Sequence, residues 1–551
     1  MAPSKALTLT LDAVLKNWPL KSPPRPIQIS ALEKTIESFN NGMEFVALEV
    51  PVGGGKSALA FALARTMGTS YTLTLTEQLQ HQYLRDFQQY GMEPLKGRGK
   101  YACAKAGEGY TCADGALMFE GKDCCGPDLC PYQLAKQRAF EAPHLVANYH
   151  SYLFNLGLSA GKKRPKKGEL SDVPNDAWST KADAIRDLVV LDEAHCSESF
   201  LLEQAGVEVR LDKLTLKLAP LPIESDENNI RTEPYLKYMQ EELIPQLTSY
   251  LKISERRGIL DPKTKRDLNT LLSKLNMVLA NPEDEWVAER TQTPDRKGFL
   301  ADRFALKPLR VARYGSWLTG FGKKLLIMSG TILDAYQMTT SIGLDPEKGD
   351  FHTFDSPFPV ENRPIYIGNL DMGFKARDES WPVMVEQVGK LLNSHSREKG
   401  LLLAPSNKML FHITKELAKT DPATARRIII ASGENRVQKY NEHLASRMPT
   451  VLGASGFWEG ADLAEDASRF QIIPQLPRPM WQGQIAKRAA REPNWYTWLT
   501  YVKLLQGCGR SVRSEKDTAV TYILDRDFRK EFKKPKGLIP LWVKSSVQLV
   551  G

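Results

Sequence analysis

The apolar run EFVALEV leads into Gly53-Gly54-Gly55-Lys56-Ser57, and ALAFALARTM follows with Ala and Leu at helical spacing. This reads as a buried strand, a tight loop and a helix. Such a unit commits the chain to a parallel α/β sheet, because a strand followed by a helix must cross over before it pairs again. The loop is suited to a triphosphate. Its glycines let backbone N–H groups approach phosphate oxygens, Lys56 reaches the terminal phosphates, and the Ser57 hydroxyl is placed for Mg2+. Val50 stands where the strict G-x-x-x-x-G-K-[ST] pattern has its first glycine, so the pattern is one position short. An ordinary Gly-rich turn is the alternative, and the flanking strand and helix argue against it.

A second apolar run, Leu188 to Leu191, ends in Asp192-Glu193-Ala194-His195. At a strand end beside a phosphate loop, Asp192 can hold magnesium and Glu193 can polarise an attacking water. A third strand is expected at KKLLIMSGTI. Residues 199 to about 300 change to amphipathic helical patterns, as in RTEPYLKYMQEELIPQLTSYLKI and DLNTLLSKLNMVLANP, and read as a helical insertion. Beyond turn chemistry at Gly343–Gly349 and the loop FDSPFPVENRP, strands recur at PIYIG, GLLLAP, RIIIAS and RFQIIPQL, the pattern of a second parallel-sheet domain. There, Arg510 and Arg513 in QGCGRSVR could clamp a transferring phosphoryl group as an arginine finger does. In Phe457-Trp458-Glu459-Gly460-Ala461-Asp462, Asp462 could sense nucleotide, while the aromatic pair is expected in the core.

Five of the seven cysteines, Cys103, Cys112, Cys124, Cys125 and Cys130, crowd between the phosphate loop and the DEAH box. A clustered odd count in a large chain favours metal ligation over a disulfide framework. Iron–sulfur and zinc are level on this basis. The isolated Cys196 and Cys508 read as buried free thiols. The chain has 551 residues, room for three or four domains, and lacks the run of about 20 apolar residues that a membrane span needs. Its start has no signal-peptide pattern, so a soluble intracellular protein is expected, in cytoplasm or nucleoid, or in the nucleus of a eukaryote. The net charge of +9 leans weakly toward a polyanionic partner, since 74 basic residues are offset by 65 acidic ones. The run GKKRPKKG at 161–168 reads as a solvated loop before it reads as an import patch.

The ordered set RPIQ at 25–28, EVPVGGGKS, LTLTEQLQHQ, VVLDEAH, LLIMSGTIL, FDSPF, GFWEGADL and QGCGRSVRS resembles the motifs of superfamily 2 helicases. With KGRGKYAC, the CC pair, CPYQLAKQRAFEAPHLVANYHSYL and the DEAH box, it is similar to the XPD/DinG family of iron–sulfur DNA helicases. The departures are small: SGT stands for the usual SAT at 329–331, and Val50 for the usual Ala.

The resemblance implies an α/β fold of two RecA-like parallel-sheet motor domains, the first carrying both insertions. Motor domain 1 would take 1–95, 148–198 and 301–338, the iron–sulfur domain 96–147, the helical arch-like domain 199–300, and motor domain 2 339–551. It implies a [4Fe–4S] cluster on four of the five cysteines, Cys124 and Cys125 being alternatives because adjacent side chains diverge, with zinc the lesser option. Gln28 becomes an adenine-sensing residue, with Gly53, Gly54, Gly55, Lys56, Ser57, Asp192, Asp462 and Gln506 around ATP and Mg2+. Ser329 and Thr331 would couple hydrolysis to the DNA track, and Gln506, Arg510 and Arg513 would complete the site. The implied activity is ATP-dependent translocation on single-stranded DNA, 5′ to 3′, with unwinding of forked DNA in repair or replication. Oligomeric state and protein partners stay open, a monomer among the options. Two alternatives from other classes are a zinc-stabilised nucleic-acid-binding protein with a degenerate nucleotide site, and a helicase-like nuclease or effector. No further carboxylate cluster precedes residue 25 to favour a nuclease.

Overall fold

The computed structural model describes residues 8–549 except 119–129, 157–183, 212–213, 215, 217, 223–229, 295–299, 374–375, 459–462, 464, 510, 513–514 and 536. The basic run 161–168 lies outside the described residues, as do Cys124, Cys125, Asp462, Arg510 and Arg513.

The strands in chain order are β1 Phe45–Glu49, β2 Ser70–Thr74, β3 Met92–Leu95, β4 His144–Asn148, β5 Arg186–Leu191, β6 Val207–Arg210, β7 Trp286–Pro294, β8 Leu300–Pro308, β9 Gly322–Ser329 and β10 Gly349–Thr353. The second half adds β11 Ile365–Leu370, β12 Gly400–Leu403, β13 Ile428–Ala431, β14 Val451–Ala454, β15 Phe470–Ile473, β16 Val520–Asp525 and β17 Val547–Leu549. Two seven-stranded sheets result, in the orders β10-β1-β9-β5-β2-β4-β3 and β13-β14-β12-β15-β16-β11-β17. Every recorded pairing in both is parallel.

A parallel sheet covered on both faces needs strands that are apolar throughout, and the central strands comply. On β1, Phe45 and Ala47 enter one core while Val46 and Leu48 enter the opposite one; Val189 and Leu191 on β5 alternate with Leu188 and Val190 in the same way. Helix Lys56–Met67 closes the second of these cores with a fully buried stretch, Ala58 to Ala64. The second sheet divides its core similarly, with Leu401 and Leu403 on one side and Leu402 on the other.

Three expectations need correcting. The insertion expected to be helical over 199–300 does contain a helical run from Thr232 to Arg257 and a helix Pro262–Ala280, but it is built on an antiparallel sheet, β6-β8-β7. The β7–β8 pairing, Trp286↔Pro308 to Pro294↔Leu300, carries that unit past residue 300. Charged residues on its outward positions gave WVAERTQTP no long apolar run to mark it as strand. The boundary expected at 338 also moves, because β10 joins the first sheet beside β1, with Phe45↔Gly349 to Glu49↔Thr353 in register. Gly349 is a strand residue rather than the end of a turn, and a Cβ there would strike the Phe45 ring. Finally, helix Pro493–Cys508 belongs to both domains: Trp495, Trp498 and Val502 pack in a first-sheet core, Tyr501, Leu504 and Leu505 in the second. Among the described residues no helix is long and apolar enough to cross a membrane.

Arg186 opens β5, and its buried guanidinium donates to the carbonyls of Ser70, Pro143, Ala139 and Phe140 while lying 4.5 Å from the Tyr71 ring centroid. It ties β2, β4 and the preceding helix to the strand that ends in Asp192. Arg186→Met should destabilise the first domain by about 3 kcal/mol, since four carbonyls, those of Ser70 and Ala139 in buried bonds, lose a charged donor, and Lys should recover only part of it. Thermal unfolding of the two variants checks this.

Candidate active site

Strands β1, β9 and β5 are neighbours, with Glu49 opposite Ser329 and Leu191 opposite Ile327. The loops that follow them therefore leave the sheet along one edge, the carboxyl edge where open parallel sheets bind ligands. The phosphate loop comes from β1, the Asp192 turn from β5 and the Ser329–Leu333 turn from β9.

In the phosphate loop Gly53 and Gly55 adopt φ of +78° and +81°, backbone that favours glycine. A Cβ on Gly55 would lie 2.1 Å from Gln28 Nε2, and one on Gly53 would lie 2.2 Å from the Phe358 ring. Gln28 is buried at the start of helix Pro26–Asn40; its Oε1 accepts from Arg25 N at 2.8 Å and its Nε2 donates to Gly55 O at 3.1 Å. Both ends of its amide are thus spent on backbone, so Gln28 shapes the loop from beneath. Lys56 Nζ rests 3.4 Å from Val50 O, and Val50 is buried, which explains why an apolar residue is tolerated where the common pattern has glycine.

Asp192 is buried at the end of β5. Its Oδ2 accepts from Tyr83 Oη at 3.0 Å, its Oδ1 from Glu193 N at 3.0 Å, and its carbonyl from Tyr149 Oη at 3.0 Å. Burial and Asp192 push the Tyr83 phenol up while the Ser57 hydroxyl opposes the rise, so one phenol lies between the two residues expected at magnesium. Burial and the adjacent Glu193 carboxylate push the Asp192 carboxyl above the usual range, while Lys56 opposes the rise. A buried carboxylate of this kind is suited to a divalent cation. Glu193 sits at φ +51°, a strained conformation for a side-chain-bearing residue, and its Oε2 lies 3.4 Å from His195 Nδ1.

His195 Nδ1 is 2.9 Å from Ser329 Oγ and 3.3 Å from Gln506 Nε2; Gln506 Nε2 donates to Thr331 Oγ1 at 2.8 Å, and Thr331 N donates to Ser329 Oγ at 3.1 Å. All four side chains are buried. Gln506 comes from the second-domain end of the shared helix, so this network spans the cleft lined by Pro51, Val52, Phe358, Thr331 and Gly509. Of the expected site residues, Gln28 is bonded to Gly55, Lys56 and Glu193 act on Asp192, and Ser329, Thr331 and Gln506 are joined in one network, of which Thr331 and Gln506 line the cleft. Phe457 and Trp458 are core residues, as expected, Trp458 packing against Gly507.

Cys103, Cys112 and Cys130 are all buried. An Ala102↔Thr111 bridge sets the first two on facing segments, Cys103 N donating to Tyr110 O and Cys112 N to Tyr101 O. Ala106 N donates to Cys103 Sγ at 3.3 Å, a bond suited to a thiolate, and Cys130 caps helix Pro131–Glu141 without using its sulfur there. The donor set thus fits a thiolate-bound metal in chemistry, although among the described residues no three such side chains stand close enough to hold an ion. Cys196 is buried and Cys508 half-buried, and desolvation pushes the Cys508 thiol up to about 12.

Sequence reasoning missed Tyr83, Tyr149, Trp498 and Glu49, and met Phe358 only as the end of the FDSPF motif. Only Glu49 left a trace: a carboxylate ending an otherwise apolar strand.

Two family models match. The helicase C-terminal domain model covers residues 390–546, and the type III restriction enzyme res subunit model covers 21–209. No curated protein matches the chain. Among solved structures, Xpd4 of S. tokodaii superposes with a TM-score of 0.58 at 14% identity, over 96% of this chain and 100% of that one. A structure described as an XPD helicase gives 0.59 at 15% identity, over 96% and 99%. The chain therefore shares the fold of these XPD structures along nearly its whole length.

Gly55→Ala would force a Cβ onto Gln28 and disfavour the left-handed backbone. Affinity for a fluorescent adenosine triphosphate analogue should fall at least about tenfold in a fluorescence titration; unchanged affinity would show that triphosphate binds elsewhere.

Proposed function

We propose that this chain, which shares the XPD fold and matches a helicase C-terminal domain model, is an ATP-dependent superfamily 2 DNA helicase that moves on single-stranded DNA and opens forked duplex. The observation that carries the reading is the buried path His195–Ser329–Thr331–Gln506, which joins the Asp192-Glu193 turn to the second domain.

The phosphate-loop N–H groups and Lys56 bind and orient the β- and γ-phosphates, and Ser57 and Asp192 hold Mg2+. Glu193 orients and polarises the attacking water. The resemblance to XPD and DinG assigns Arg510 and Arg513 to the transferring phosphoryl group and Asp462 to sensing nucleotide. Loss of the γ-phosphate alters the Glu193–His195 turn, and the path through Ser329, Thr331 and Gln506 passes that change to the second domain. Single-stranded DNA crosses both domains through backbone contacts, which makes binding independent of sequence. The 5′ to 3′ direction rests on the resemblance to XPD and DinG.

Cys103, Cys112 and Cys130, with Cys124 or Cys125, would hold a [4Fe–4S] cluster, which would stabilise the 96–147 insertion as a wedge at the fork. A donor set of four thiolates, three of them described and buried, supports iron–sulfur, with zinc as the competing occupant. The sheet-based insertion over 199–308 would act as the arch beside it.

Lys56→Ala should lower DNA-stimulated ATP hydrolysis by at least about 100-fold in a coupled phosphate-release assay while leaving the thermal transition in place. An unchanged rate would defeat the helicase reading. Anaerobically purified protein should be brown and contain about four iron atoms per chain, and Cys130→Ser should lose both iron and colour. Colourless, zinc-containing protein would instead assign a structural zinc site. A forked substrate with a 5′ or a 3′ tail reads the direction of travel.

A further inference from the structure

Glu49 is the last residue of β1, directly before the phosphate loop, and it is almost wholly buried, at 1% exposure. Among the described residues no cation pairs with it. Its Oε2 instead accepts two backbone N–H groups from the turn after β9, Ile332 N at 2.7 Å and Leu333 N at 2.5 Å. Leu333 has φ +61°, one of three described non-glycine residues with positive φ. A left-handed backbone is strained for leucine, so the turn needs an external hold. The carboxylate supplies it. Burial raises its carboxyl to about 7 and the two N–H donors pull it back, so the group is held by these bonds and by no charge partner.

The same turn receives the second domain. Trp498 Nε1 donates to Ile332 O at 2.8 Å, and Gln506 Nε2 donates to Thr331 Oγ1 at 2.8 Å. Both donors lie on the shared helix and both bonds are buried. The backbone of Glu49 has a third connection: its carbonyl accepts from Phe354 N at 3.0 Å, where the chain leaves β10 toward the second domain. One residue thus touches the phosphate-loop strand, the turn that the second domain grips, and the segment joining the domains.

We propose that Glu49 is a positioning residue for the reaction, its carboxylate fixing the Ser329–Leu333 turn so that Trp498 and Gln506 register the second domain on the nucleotide site. This deepens the helicase reading and rests on it. Glu49 touches neither nucleotide nor DNA in this scheme. Its loss should leave phosphate binding intact and weaken the response of hydrolysis to DNA. Gln keeps an acceptor oxygen at the same place and should suffice, because acceptance of two N–H groups is the role, not charge.

Steady-state ATP hydrolysis with and without single-stranded DNA tests this on Glu49→Ala, Glu49→Gln, Trp498→Phe and the double variant Glu49→Ala/Trp498→Phe. Glu49→Ala should keep KM for ATP within about threefold and lose at least about tenfold in DNA-stimulated kcat. Glu49→Gln should stay within about threefold of the parent. The double variant should lose no more than the worse single one, since both act through one turn. A KM defect with intact kcat, multiplicative losses, or an unaffected Glu49→Ala would overturn the proposal. If Glu49→Ala does not fold, Trp498→Phe must lose stimulation and Glu49→Gln must keep it, or the proposal fails. A parent protein without DNA-stimulated hydrolysis would defeat the helicase reading instead; hydrogen exchange then tests the anchor alone. The Ile332 and Leu333 amides should exchange at least about tenfold faster in Glu49→Ala, and unchanged exchange sinks the anchor.

Discussion

Three adjacent parallel strands, β1, β9 and β5, end side by side, and the chemistry of the first domain depends on it. In a parallel sheet the loops after neighbouring strands share one edge, so the phosphate loop, the Ser329–Leu333 turn and the Asp192 turn need no long connections to meet. The register does the alignment: Glu49 faces Ser329 across one pairing, and Leu191 faces Ile327 across the next. A one-residue slip of β1 against β9 would turn Glu49 away from the Ile332 and Leu333 amides. The apolar alternation on both faces of β1 guards against that slip, because Phe45 and Ala47 would exchange cores with Val46 and Leu48.

What is buried along that edge is unusually polar. Glu49, Asp192, His195, Ser329, Thr331 and Gln506 are all below a tenth exposed. Buried polar groups cost stability unless paired, and a network with two arrangements offers a way to move one body against another. Behind it, Glu198 on helix Ser197–Ala205 forms a buried ion pair with Arg488 and accepts from Trp495 Nε1 at 2.9 Å. Arg488 also lies 4.0 Å from the centroid of the Trp495 ring. A buried pair of this kind adds little net stability but is expensive to break on one side, which favours fixed geometry over strength. It binds the helix that follows the DEAH turn to helix Gly483–Arg491.

Much of this was legible in the sequence, for identifiable reasons. The phosphate loop, the DEAH turn and strands β1, β5, β9, β11, β12, β13 and β15 announce themselves as apolar runs, because strands buried on both faces cannot hide behind alternation. β2 (SYTLT), β3 (MEPL) and β4 (HLVAN) are short and mixed and, like β14, β16 and β17, were not expected. The β7–β8 hairpin did the opposite: Glu289, Arg290 and Lys307 interrupt its apolar positions, and Glu289 and Lys307 are paired with each other at 2.7 Å. β10 was masked by Gly349, which reads as a turn yet is required by the Phe45 ring. Tyr83 and Tyr149 were invisible for another reason. Each sits on a helix where its apolar ring explains its burial, and only the fold brings its hydroxyl to Asp192. Cross-domain contacts such as Trp498 to Ile332 have no sequence signal, since the two residues are joined by packing alone.

The shared helix Pro493–Cys508 therefore sets how the domains can move. One face is held in the first-sheet core by Trp495, Trp498 and Val502, and the other in the second by Tyr501, Leu504 and Leu505. Apolar contact is non-directional and tolerates small sliding, whereas the bonds from Trp498 and Gln506 do not. Helix Gly483–Arg491 adds a link to the insertion, with Gln484 N donating to Glu289 Oε1 at 2.8 Å, Gln484 Nε2 donating to Leu309 O at 2.8 Å, and Arg491 paired with Glu285 at 2.8 Å. A displacement of the second domain strong enough to break the directional bonds at Ile332 and Thr331 would also pull on this link. The insertion is thus held by directional bonds to the helical pair that carries Trp498 and Gln506, and that pair cannot shift without breaking or carrying the bonds to Glu289, Leu309 and Glu285.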